Sequence, residues 1–134
     1  MTTTELQGVA IFDGISEAGL QRLLAAAAEV EAAPGQILAQ LDDPGSGAFV
    51  VLDGAVAVEL RGTKIELGRG DLVGELALLV PETGRIARVT AIADTRCLAI
   101  PRETFIALVE TEPTFALALV RELARRLVEA RSAD

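Results

Sequence analysis

Two side chains in the segment GELALLVPETGRIARVTA, Gly74 to Ala91, are of types that hold an anionic ligand. Gly74 permits unusual backbone dihedrals and a close approach of backbone. Glu75 to Leu79 fits one short helical turn, whose first N–H groups lack intrahelical partners and can donate to an anion. Glu75, at the head of that turn, can also accept hydrogen bonds from hydroxyls. Arg85 follows a loop broken by Pro81 and Gly84, so the chain can fold it back over the same spot. Its guanidinium is a planar fork that matches phosphate oxygens. An acceptor for sugar hydroxyls, a fork for phosphate and free backbone donors together suit a sugar phosphate.

The rest of the composition narrows the chemistry. The 134 residues contain no histidine and one cysteine, Cys97. The commonest general base and the commonest metal ligand are therefore missing, and no thiolate cluster or internal disulfide can form. Neither the ligand set of a metal-dependent enzyme nor a nucleophile–base pair is present, so the chain reads as a non-enzyme without a metal or cofactor. Cys97 lies in TRCLAI, which alternates as a strand does, and reads as a buried, inert thiol. A net charge of −8 argues against nucleic acid as the main ligand, because phosphate contacts supply most of that affinity. One local cluster of donors can still bind a small anion. No apolar run is long enough to span a membrane, and MTTTELQGVA lacks the basic start and apolar core of a leader. These features point to the cytoplasm. Hydrophobic residues make up 51% of the chain, which implies an apolar surface covered by a partner or a second copy.

The elements that position Glu75 and Arg85 follow from periodicity and punctuation. One domain spans residues 1–134, with no linker or repeat dividing it. Ser16 reads as an N-cap, and Leu20, Leu23, Leu24 and Ala27 recur at helical spacing until Pro34 and Gly35 break the pattern. From there to about Ile100, short apolar runs alternate with the turn signals DDPGSG, LDGA, RGTK and LGRGD, which suggests a sandwich, jelly roll or small barrel. Asp53-Gly54, between two β-rich runs, predicts a type I′ hairpin. The helical period returns after Pro101, with Phe105, Leu108 and Val109 on one face. A last helix runs from about Pro113 to Ala130, with Leu117, Val120, Leu123, Leu127 and Val128 as an apolar stripe. Arg121, Glu122, Arg125, Arg126 and Glu129 read as its solvated side, where Glu122 and Arg126 are one turn apart and can pair.

The segment from Gly74 resembles the phosphate-binding cassette of cyclic nucleotide-binding domains, with its Gly-Glu-Leu-Ala-Leu opening and later Arg-x-Ala. IFDGISEAGLQRLLAAA, PGQILAQLDDPGSGAFVVLDGAVAV, LGRGDLVGELALL and DTRCLAIPRETFIALVETEPTFALALVRELARRL are similar, in order and spacing, to successive parts of that family's fold. The resemblance implies a mainly β fold: a jelly roll, or double-stranded β-helix, with N-terminal helices and two C-terminal helices. It implies a ligand-binding set of Gly74, Glu75, Leu76, Arg85, Ile86 and Ala87. Glu75 would accept the ribose 2′-hydroxyl, Arg85 would hold the cyclic phosphate, and backbone N–H groups near Leu76 and after Arg85 would complete the cradle. The ligand implied is cAMP or cGMP, with the last helix closing over the base and signalling to a protein partner or to a second copy.

Two readings stay open. In the first, the chain is a regulatory domain that binds a cyclic nucleotide. In the second, it keeps the fold without the ligand and serves as an interaction or structural module. Arg85-Ile86-Ala87-Arg88 brings no hydroxyl before Thr90, and neither Trp nor Tyr is available to stack on a base. Arg88 could stand in for the missing hydroxyl donor, or lie inside the next strand facing the other way.

Overall fold

The computed structural model describes residues 5–6, 8–39, 47–60, 62–75, 79 and 87–132. Among the described residues, eight strands form two four-stranded antiparallel sheets. The first has the order β1 (Ala28–Ala32), β8 (Thr95–Pro101), β3 (Gly47–Asp53), β6 (Leu72–Val73). The second has the order β2 (Ile37–Ala39), β7 (Arg88–Ala91), β4 (Ala55–Leu60), β5 (Thr63–Gly68). Strands from distant parts of the chain alternate between the two sheets, which is the topology of a jelly roll.

The two sheets differ in how their faces are covered, and their sequences differ accordingly. In β3, Ala48, Val50 and Leu52 pack with the helices, while Phe49 and Val51 pack toward the second sheet. Cross-strand partners share a face, so Val50 lies with Leu98 and Leu72, and Val51 with Cys97. A strand buried on both faces reads as a continuous apolar run, as GAFVVLD does. In β4, by contrast, Val56 and Val58 pack into the core between the sheets, and the residue between them on the other face is the small, buried Ala57. Glu59 lies on the outer face, directly opposite Arg88 of β7. That strand therefore alternates.

Helix α1 (Glu17–Ala26) starts where expected: Ser16 is its N-cap, and the Ser16 hydroxyl accepts from the Gly19 N–H at 3.1 Å. Helices α2 (Arg102–Thr111) and α3 (Pro113–Ser132) follow β8, with Pro101 at the N-cap of α2. The helix-side core is closed by aromatic contacts. Phe115 of α3 stacks on Phe12 with ring centroids 6.1 Å apart, and meets Phe105 of α2 edge-on at 5.9 Å.

Two local expectations are corrected. Asp53-Gly54 is not a hairpin turn, since β3 pairs with β8 and β6 whereas β4 pairs with β5 and β7. It is the corner at which the chain changes sheet. Gly54 has φ 94°, and a Cβ there would lie 2.4 Å from the Asp94 carbonyl oxygen. Glycine is thus required by both the dihedral and the close approach. The hairpin is β4–β5, closed at Leu60 opposite Thr63. The second correction is AEVEA, which forms β1 rather than continuing the first helix. Ala and Glu favour helix, but pairing of Ala28–Ala32 against Ala99–Thr95 of β8 overrides that preference.

Candidate functional site

The edge strand β6 delivers the site. Leu72 and Val73 pair with Val50 and Phe49 of β3 and are almost fully buried. Gly74 then adopts φ 82°, the left-handed conformation that turns the chain away from the sheet edge. The Glu75 carbonyl, just beyond it, accepts from the Leu79 N–H at 3.0 Å. The turn anticipated over Glu75 to Leu79 falls largely on residues 76–78, which lie outside the described residues.

Glu75 is only 3% exposed. A buried carboxylate requires compensating donors or charge, and one is supplied from far along the chain. Arg126 of α3 donates through Nη1 to Glu75 Oε1 at 3.2 Å, through Nη2 to the Leu72 carbonyl at 2.8 Å, and through Nε to Glu122 Oε1 at 3.0 Å. One guanidinium thus ties the last helix to both the carboxylate and the strand that carries it. The Arg126 side chain is 17% exposed, so the expectation of a solvated Arg126 is wrong. The expected Glu122–Arg126 pair is present. Arg125 also contacts Glu122, and chiefly through that contact the Glu122 carboxyl is held below its usual range.

A signal for Arg126 existed in the sequence. Phe115 and Leu119 are buried, Leu123 packs against the same core, and Arg126 continues that i, i+4, i+8, i+11 spacing. The more apolar stripe, Leu117, Val120, Leu127 and Val128, is the exposed one, at 48% to 64%. Leu123, counted in the same stripe from the sequence, belongs instead to the packed side.

Val58 lies opposite both Val89 and Ile65, so the three share the inward face. Val89 is buried, yet Val58 and Leu67 are only partly covered and Ile65 is 43% exposed. Apolar side chains on the inward face of the β4–β5 hairpin are therefore partly open to solvent. A separate groove of about 390 Å³ runs between the Ala10–Phe12 turn, the β5–β6 turn and α3. It touches Leu72 and Glu122 but neither Gly74 nor Glu75.

Of the six residues expected to bind ligand, Gly74 and Glu75 stand together at the end of β6, and Ala87 immediately precedes β7. Leu76, Arg85 and Ile86 lie outside the described residues. Arg88 is the first residue of β7 and shares the outer face with Glu59, opposite to the buried Val89. Arg88 is therefore in the strand, while Arg85, against which its direction was to be compared, lies outside the described residues. Cys97 is buried, and burial pushes its thiol up to about 11, which keeps it protonated and inert. Among the described residues no cluster of acidic or cysteine side chains could hold a metal ion. No described helix is long and apolar enough to cross a membrane.

A jelly roll with two closing helices, and a Gly-Glu turn leaving its edge strand, define a class. Residues 29–112 match the cyclic nucleotide-binding domain family, and the chain belongs to that family. The Pycsar effector protein XpPycTIR of Xanthomonas perforans is 33% identical over 111 residues, covering 81% of this chain and 36% of that protein. The cyclic AMP receptor protein of Thermus thermophilus is 40% identical over 94 residues, covering 66% of this chain and 43% of that protein. In the crystal structure of the Thermus thermophilus catabolite activator protein, the likeness extends over 92% of this chain and 60% of the other, with TM-score 0.72 and 31% identity. This chain therefore spans less than half the length of those two curated relatives.

Proposed function

We propose that residues 1–134 act as one regulatory domain that binds a cyclic nucleotide, cAMP or cGMP, and passes the event through α3 to another polypeptide. In this reading Glu75 accepts a ribose hydroxyl, and Arg85 forks the cyclic phosphate. Backbone N–H groups of Leu76, Ile86 and Ala87 complete the cradle. The inward apolar surface of Val58, Ile65 and Leu67 receives the ligand's less polar part. The observation that carries the reading is the contact between Arg126 and the buried Glu75. A ligand hydroxyl arriving at Glu75 adds to or displaces the bond that docks α3, so occupancy biases the helix by its differential affinity for the two positions. The domain itself performs no chemistry. Its place is the cytoplasm, and its partner is a protein or a second copy, contacted through Leu117, Val120, Leu127 and Val128.

The Thermus thermophilus relative is by name a cyclic AMP receptor, which supports the ligand class. A second reading, in which the fold no longer binds nucleotide, draws on the same contact. Arg126 already satisfies part of the Glu75 carboxylate, as it would in a permanently closed module. Calorimetric titration of the protein with cAMP and with cGMP separates the two. Saturable heat that disappears in Glu75→Ala supports the first reading. No heat with either nucleotide at millimolar concentration supports the second.

A further inference from the structure

Helices α2 and α3 are joined by a single residue. Glu112 is the C-cap of α2, with φ −119° and ψ 90°, and Pro113 begins α3. Its N–H donates to the Leu108 carbonyl and its carbonyl accepts from the Ala116 N–H, so each helix is hydrogen-bonded to the same residue. Here the residue is 6% exposed, and its side chain is fastened to one that lies 96 positions away in the chain. Glu112 Oε1 accepts from the Ser16 N–H, and Oε2 accepts from the Ser16 hydroxyl, both at 2.8 Å. That same hydroxyl caps α1 through Gly19. Gly19 is required for the approach, since a Cβ there would lie 2.8 Å from the Glu112 carboxyl carbon.

The neighbours of Glu112 repeat the pattern. Thr114 donates to the Gly14 carbonyl at 2.9 Å, and Arg22 donates to Thr111 at 3.3 Å. Arg22 also stands 3.9 Å from Glu112 Oε2. The last residue of α2, the joint and the second residue of α3 are thus each held by the segment around α1. From Glu112 to Arg126 the helix rises about 21 Å at 1.5 Å per residue. A tilt of about 10° at the joint therefore moves Arg126 by roughly 4 Å, more than enough to break its contact with Glu75.

We propose that Glu112 is a positioning residue: pinned by Ser16, it fixes the pivot of α3 and so sets how fully Arg126 docks on Glu75. The claim goes beyond nucleotide binding and is tested without any ligand. Amide hydrogen exchange is followed in the ligand-free full chain for Glu112→Ala, Glu112→Gln and Ser16→Ala, each alone and combined with Arg126→Ala. In Glu112→Ala, exchange over residues 120–130 rises about tenfold while β3 and β8 stay protected, on the scale of losing a hydrogen bond to a charged group. Glu112→Gln restores most of the protection, because its amide oxygen still accepts the Ser16 N–H. Adding Arg126→Ala to Glu112→Ala gives no further increase in that segment, since both open the same contact. If Glu112→Ala does not fold, Ser16→Ala carries the test, with a smaller rise confined to the same residues. A uniform loss over β3 and β8, multiplying effects in the double variant, or unchanged exchange over 120–130 overturns the proposal.

Discussion

Two buried carboxylates hold α3, and they hold it by different means. Glu112, at the near end, is bound by an N–H and a hydroxyl of one residue, Ser16, with Arg22 at a longer distance. Glu75, near the far end, is bound by an arginine that α3 itself carries. The Ser16 N–H and hydroxyl both donate to Glu112, and the hydroxyl also caps α1 by accepting from Gly19. The Arg126 guanidinium is shared among Glu75, Glu122 and the Leu72 carbonyl, and keeps two acceptors if the third is taken. One contact is built to stay and the other is suited to exchange. The helix between them follows the same gradient: Phe115 and Leu119 are buried, whereas Val120, Leu127 and Val128 are more than 60% exposed. That pattern is what a lever fixed at one end requires.

The contrast can be broken at either end, beginning with the largest expected effect. Arg85→Ala removes the proposed phosphate fork and weakens nucleotide binding by about 2–5 kcal/mol, the cost of leaving a buried charged partner unpaired. Calorimetry with cAMP and cGMP reads this, and full retention of affinity excludes Arg85 from the site. Arg126→Ala strips Glu75 of a charged donor and lowers folding stability by about 1.5–3 kcal/mol. Urea unfolding measures it, and a loss below about 0.5 kcal/mol makes the contact incidental. Ser16→Ala removes the α1 cap as well as one Glu112 donor and costs about 0.5–2 kcal/mol by the same measurement.

Acid titration sharpens the comparison further. The Ser16 backbone and side-chain bonds, assisted by Arg22, hold the Glu112 carboxyl below its ordinary value of about 4.3. A group depressed in the folded state binds more protons when unfolded. Its contribution is therefore complete above the unfolded value and is lost as pH falls through the folded one. The acid limb of the melting temperature, below about pH 4.3, is accordingly flatter in Glu112→Gln than in the wild type. An unchanged limb removes Glu112 from the acid response. The smallest effect belongs to Arg88→Ala. Arg88 lies on the outer face of β7 beside Glu59, so nucleotide affinity falls by less than about 1 kcal/mol and the change diminishes with salt. A loss equal to that of Arg85→Ala would assign Arg88 to the phosphate instead.

Much of the arrangement was legible before any coordinates. Ser16 announced the first helix, the turn-rich middle announced short strands, and Gly74 announced an unusual backbone dihedral. These are local matters: a cap, a dihedral and a periodicity each involve residues within a few positions of one another, so the chain itself specifies them. What failed was decided at longer range. Asp53-Gly54 satisfies the chemistry of a hairpin, yet its strands separate because each finds other partners on both edges. AEVEA satisfies the chemistry of a helix, yet β8 recruits it as a strand. Arg126 satisfies the chemistry of a solvated residue, yet it lies 51 positions from the carboxylate it binds. Glu112 and Ser16 are 96 positions apart. Local sequence determined which elements form and which residues could do chemistry. Only the tertiary structure decided which distant side chains meet, because a buried charge takes whatever partner the packed fold brings within reach.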